Sequence, residues 1–103
     1  MSNYELIKYA IQNKKQVTAM YGGYFREMCP HALGQKNGRY QAMFYQFGGE
    51  SSKGTITLDN SEWRCMQIDK LTDIQVKDGE WVTGDNHSRP QTCVDQIDYE
   101  VTL

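Results

Sequence analysis

The chain has 103 residues and little apolar material: 39% of it is hydrophobic and the mean hydropathy is -0.71. No apolar run approaches the roughly 20 residues that a spanning helix needs, so a transmembrane helix is excluded. The opening Met1-Ser2-Asn3-Tyr4-Glu5 lacks the basic and apolar regions of a signal peptide, and the expected location is cytoplasmic. There are three cysteines, Cys29, Cys65 and Cys93, odd in number and far apart. That spacing suggests neither a disulfide framework nor a Cys-x-x-Cys zinc site, and predicts reduced thiols in or near the core. An excess of positive charge is also missing. The net charge is -2, which argues against a polycation that coats nucleic acid or anionic lipid by bulk attraction. Residues 1–51 carry six Lys/Arg against three Glu (+3), and residues 52–103 carry five against ten Asp/Glu (-5), so any anion site must be local. No internal repeat or low-complexity tract is present.

What the chain does have is aromatic side chains: seven Tyr, three Phe and two Trp, which bury area while keeping polar tips wet. This length fits a single domain, residues 1–103, with one thin core. Ser2 with Glu5 has the form of a capping box, and Leu6, Ile7, Ala10 and Ile11 recur at helical spacing, which predicts a helix over 3–14. Strands are expected at 16–21 and 24–30, joined by Gly22-Gly23, with Pro30 ending or edging the second. A polar turn at 34–38 leads to a third strand at 39–47. Residues 48–62 read as a long polar loop of the kind that is commonly functional or disordered. Further strands are expected at 63–68 and 72–77, an irregular polar segment at 83–92, and a last strand or extended tail over 93–103. One helix followed by five or six short strands predicts a mainly β fold. The expected form is a small SH3-like or Sm-like antiparallel β-barrel over about 16–82 with a C-terminal extension at 83–103; an open antiparallel sheet with the helix across one face is the competitor.

Arg26-x-x-x-Pro30-x-x-Leu33, then Gly38-Arg39-Tyr40-Gln41-Ala42, then Arg64-x-x-x-Ile68-Asp69-Lys70-Leu71 resemble the WYL domain in order and spacing, over about residues 6–76. Pro30-His31, Gly48-Gly49-Glu50-Ser51 and Trp63-Arg64 look closest to short, free-standing members. The naming tripeptide is here Tyr40-Gln41-Ala42, and Met66 and Lys70 stand where the family usually has Phe and Arg. The resemblance implies an SH3-like barrel that binds a charged ligand, often nucleic acid or a nucleotide, and regulates an attached domain. The residues before the first strand supply one helix, too little for a helix-turn-helix.

Arg26, Arg64 and Lys70 are the ligand-facing set that the resemblance implies, with Arg39 beside them; guanidinium groups can grip phosphate or carboxylate with two hydrogen bonds. The competing reading is ordinary surface pairing. His31 could contact a ligand and titrate near neutral pH, or be a satisfied structural histidine. Gly48, Gly49, Ser51 and Ser52 could cradle an anion, although no Gly-x-x-x-x-Gly-Lys-Ser/Thr pattern is present. Trp63, Tyr45 and Phe47 could stack on a base or simply fill the core. His87, Arg89 and Cys93 match no metal or nucleophile spacing, so neither a metal nor a cofactor is expected.

Three functions remain at this stage. The first is a non-catalytic ligand-sensing module that binds single-stranded nucleic acid or a nucleotide and modulates an effector or regulator protein. The second is a structural or protein-protein interaction subunit whose acidic end (Asp95, Asp98, Glu100) docks another chain. The third, a small hydrolase or nuclease, has no visible catalytic arrangement. An uncovered strand edge adds the expectation of a homodimer, and no membrane partner is expected.

Overall fold

The computed structural model describes residues 2–82 and 93–101. The helix α1 runs Asn3–Asn13, with the Ser2 hydroxyl accepting from the Glu5 N–H at 3.2 Å. It stops one residue earlier than expected because Lys14 adopts a left-handed φ of 50°, which lets the Lys15 N–H reach back to the Ala10 carbonyl. Ile7, Ala10 and Ile11 form its buried face.

Seven antiparallel strands follow: β1 Gln16–Tyr21, β2 Tyr24–Lys36, β3 Arg39–Ser51, β4 Gly54–Thr55, β5 Glu62–Gln67, β6 Thr72–Lys77 and β7 Gln96–Glu100. The path is β4-β3-β2-β1-β6, with β5 on β3 and β7 on β2. Strand β2 thus has β3 along one edge, while its other edge is divided between β1 (residues 24–28) and β7 (residues 32–35). Strands β5 and β6 are linked by one 3-10 turn, Ile68–Lys70. The sheet does not close, so the mainly β, antiparallel expectation with one N-terminal helix stands while the barrel is not established.

Three local expectations are corrected. Pro30 does not end its strand: it stands opposite Phe44, and the register slips between Pro30 and Ala32 so that His31 is the extra residue of a bulge. A bulge is where a strand tolerates the missing proline N–H. The turn expected at 34–38 shrinks to Asn37-Gly38, with φ of 53° and 78°, the two positive angles of a tight hairpin. Residues 48–62 are not one loop. Strand β3 continues to Ser51, β4 follows, and a 3-10 turn at Leu58–Asn60 is held by the Asn60 amide donating to the Thr55 carbonyl at 3.0 Å. Gly49 makes the continuation possible, since its φ is +82° and a Cβ there would sit 2.3 Å from the Phe25 carbonyl oxygen.

The core packs α1 against the inner face of the sheet: Ile7, Ala10 and Ile11 meet Val17, Met28, Leu33, Phe44 and Met66. Phe44 is wholly buried, a burial that contributes about 1.5–3 kcal/mol. The last strand is attached by backbone and side chain together. The Asp95 N–H donates to the Gln35 carbonyl, the Val101 N–H donates to the His31 carbonyl, and the Tyr4 hydroxyl donates to the Asp98 carboxylate at 2.9 Å.

Reduced cysteines were expected, but Cys65 on β5 and Cys93 ahead of β7 are joined in a disulfide, with Cα atoms 5.5 Å apart. The sequence separation of 28 hides a pairing that the fold creates by bringing both cysteines alongside β3. Cys29 is the free cysteine and is buried. The irregular segment expected at 83–92, with His87 and Arg89, lies outside the described residues, as do residues 102–103.

Candidate anion site and aromatic cluster

Period-two alternation along the strands decides which polar groups turn inward. Ala42, Phe44 and Gln46 share the inner face of β3, and Arg64 on β5 stands opposite Phe44, with Glu62 opposite Gln46. Gln46 is wholly buried, so its amide must find partners. It donates to the Gly48 and Glu50 carbonyls, both at 3.0 Å, and its oxygen accepts from Arg26 Nη1 at 3.1 Å. Arg26 on β2 is only 7% exposed. Its Nη2 donates to the Tyr21 carbonyl at 3.1 Å, and its guanidinium carbon lies 5.7 Å and 5.5 Å from the ring centres of Tyr21 and Tyr24. Burial first, and then the charge of Arg64, lower the hold of Arg26 on its proton.

Two like charges are therefore gathered at one end of the inner face. Arg64 Nη2 lies 2.6 Å from Glu62 Oε2, an ion pair without hydrogen-bond alignment. The Nε of Arg26, together with Nε and Nη2 of Arg64, are buried donors with no aligned acceptor among the described residues. Guanidinium groups offer only donors, so this end can take only an acceptor group.

The aromatic candidates meet on the other side. The His31 ring stands 4.6 Å from Trp63, 4.4 Å from Trp81 and 6.5 Å from Tyr45, and the last two partners of the group, Tyr45 and Trp63, are 4.9 Å apart. His31 is 2% exposed, with Nδ1 at 2.9 Å from the Cys29 carbonyl. Below it the Cys29 thiol accepts from the Val82 N–H at 3.3 Å. Burial, the larger effect, outweighs that hydrogen bond and pushes the thiol up to about 11. Cys29 is a protonated core thiol and no nucleophile at neutral pH. This cluster packs edge-on and tilted among its own members, which is how aromatic rings fill a core.

The remaining candidates are dispersed. Ser51 is buried, its hydroxyl donating to the Gly54 carbonyl and accepting from the Lys53 N–H, so it locks the β3–β4 turn. Phe47 is the extra residue of the bulge between Glu27 and Met28. Arg39 opens β3, at the opposite end of that strand from the residues facing Arg26. It borders an open cavity of about 550 Å³ with Tyr4, Tyr40 and Asp69, and another of about 450 Å³ with Lys36 and Gln67. Lys70 is exposed on the 3-10 turn, and nothing in the structure joins it to Arg26 or Arg64. Among the described residues, no group of three or more His, Cys, Asp or Glu side chains could hold a metal ion. Among the described residues, no helix is long and apolar enough to cross a membrane.

Sequence reasoning missed Gln46, Glu62 and Trp81. Gln46 had a usable signal, since it stands in phase with Ala42 and Phe44 and so had to be a buried amide. Glu62 had been placed in a loop, and Trp81 reaches His31 only through the packing of the segment after β6. No family model, curated protein or solved structure matches the chain.

Proposed function

We propose that this chain is a non-catalytic sensing module that binds a phosphate-bearing ligand, a nucleotide or single-stranded nucleic acid, between Arg26 and Arg64 and thereby modulates a partner protein. One observation carries the reading: two guanidinium groups held at the same end of the inner face with buried N–H donors that lack aligned acceptors. Buried donors without partners are costly, and an anion would satisfy them with charge-assisted hydrogen bonds. The resemblance to the WYL domain implies the same two residues together with Lys70, which is exposed on the 3-10 turn between β5 and β6. The strand path with β5 and β6 at its edges and a 3-10 turn between them fits an SH3-like barrel of that family. Disulfides persist in oxidising compartments, so the Cys65–Cys93 bond weighs against a cytoplasmic location.

The test is calorimetric titration with adenosine monophosphate and, separately, a short oligothymidylate. Arg64 is the residue to change, since Arg26 also ties Tyr21 to Gln46 and its loss would disturb the sheet. Arg64→Ala should weaken binding by about 1–3 kcal/mol, while Lys77→Ala on β6 leaves it unchanged. Binding of the oligonucleotide should also fall with rising salt as counterions are released. Equal affinity of the parent and Arg64→Ala for both probes would overturn the reading. Tighter binding of one probe favours a mononucleotide or a strand as the class of ligand.

A further inference from the structure

Glu62 is the one carboxylate paired with Arg64 among the described residues, and it is poised to compete with any ligand that Arg64 would hold. Its Oε2 lies 2.6 Å from Arg64 Nη2, yet neither that nitrogen nor Nε has an aligned acceptor, so the carboxylate neutralises the guanidinium without saturating it. Glu62 is the more exposed partner, with 36% of its side chain accessible against 22% for Arg64. Its other oxygen is 4.0 Å from the Lys53 ammonium, which is itself well exposed, so the carboxylate has a second cation on its solvent side. The charge of Arg64 is felt electrostatically by Arg26, a further cation at this end, while Gln46, the polar neighbour opposite Glu62, is neutral. Arg26, Arg64 and Lys53 thus surround the one carboxylate that pairs with Arg64, a setting that suits a phosphate dianion.

We propose that Glu62 is a built-in competitor: it holds Arg64 while the site is empty and is displaced towards Lys53 when a phosphate group enters. This rests on the anion-binding reading above. The device sets a threshold. Ligands with one negative charge, a carboxylate or an internal phosphodiester, gain little by exchanging one such contact for another, whereas the dianionic phosphate of a nucleotide or of a strand's end offers both charge and additional acceptor oxygens. The site therefore discriminates phosphate monoesters from carboxylates, which a bare pair of guanidinium groups would not do.

The experiment compares the parent protein with Glu62→Gln, which keeps the shape and removes the charge, using calorimetric titration with adenosine monophosphate and with acetate. Glu62→Gln should bind adenosine monophosphate about two- to fivefold more tightly, the range expected for removing a partly exposed ion pair that must otherwise be broken. It should also bind acetate measurably, which the parent should not. In the double variant Glu62→Gln/Arg64→Ala the gain should vanish. Glu62→Ala gives the same comparison if the glutamine variant fails to fold. If the parent binds adenosine monophosphate and Glu62→Gln binds it equally or more weakly, the competitor role is overturned while the site itself stands. A gain that persists without Arg64 also overturns it, since the effect would then be one of overall charge. If neither the parent nor Glu62→Gln binds, the anion-binding reading fails together with this one.

Discussion

Cys65 of β5 is bonded to Cys93, the residue from which the chain turns into β7. A cross-link spanning 28 residues restricts the unfolded chain and is worth about 2–4 kcal/mol. The variant Cys65→Ser/Cys93→Ser should lose that amount in urea denaturation. Dithiothreitol should lower the midpoint of the parent to that of the variant and leave the variant unmoved; equal midpoints with and without reductant in the parent would show that the bond contributes nothing.

The helix and the last strand share one side-chain hydrogen bond, from the Tyr4 hydroxyl to Asp98 at 2.9 Å. Burial and this acceptor both raise the affinity of the phenol for its proton. Tyr4→Phe keeps the ring in place against Tyr40 and Tyr99, so the expected loss is about 1 kcal/mol, larger if Asp98 is left without a donor. Asp98→Asn should cost less than Tyr4→Phe, because an amide oxygen still accepts.

Gly34 is required for space. A Cβ there would fall 2.0 Å from the Gln96 carbonyl oxygen and 2.4 Å from Val94. Gly34→Ala should therefore separate β7 from β2 while β1–β3 remain paired. Hydrogen exchange should show faster exchange at residues 95–101 and unchanged protection in β1 and β3, and loss of protection in all three strands alike would show a global effect instead.

The buried Cys29 thiol gives stability a defined alkaline limb. Its pKa is about 11 in the folded chain against about 9 unfolded, so both states are protonated below pH 9 and its contribution is fully present there. From pH 9 to 11 the unfolded thiol ionises and the folded one does not, so stability falls. Above 11 the loss levels off. Cys29→Ala should show a shallower decline over that interval, measured as the difference in unfolding free energy between the two proteins; parallel curves would mean that the thiol is accessible. In the folded parent at pH 8, Cys29 should resist alkylation, and Trp81→Ala, which uncovers His31 above it, should speed the reaction.

Local chemistry made much of the fold legible. Ser2 with Glu5, the spacing of Ile7, Ala10 and Ile11, and Gly22-Gly23 each act over a few residues, and the helix, β1 and β6 appear where they were expected. The misreadings share a cause: they depend on partners far away in sequence. Pro30 was read as a terminator because a lone strand cannot use it, but β3 supplies a bulge that accommodates it. Residues 48–51 looked like loop because glycine is a weak strand former in isolation, whereas Gly49 is what allows β3 to approach β2. At the candidate site the sequence singles out Arg26 and Arg64, but their relation to Gln46 and Glu62 depends on three strands being in register. Family spacing groups Lys70 with them, and it lies on the 3-10 turn that follows β5.

Strand β2 divides one of its edges between β1, next in sequence to it, and β7, whose residues lie more than sixty positions further on. The two halves must be completed at different times. The hairpins β1–β2 and β2–β3 close tight turns and can zip as soon as they are made, while the half reserved for β7 must wait until β7 itself has left the ribosome, a loop closure that is entropically slow. During that interval residues 32–35 present an open hydrogen-bonding edge to whatever strand is nearest, including the same edge of another nascent copy. Synthesis rate and chaperone supply should then govern the yield of this protein more strongly than its final stability does.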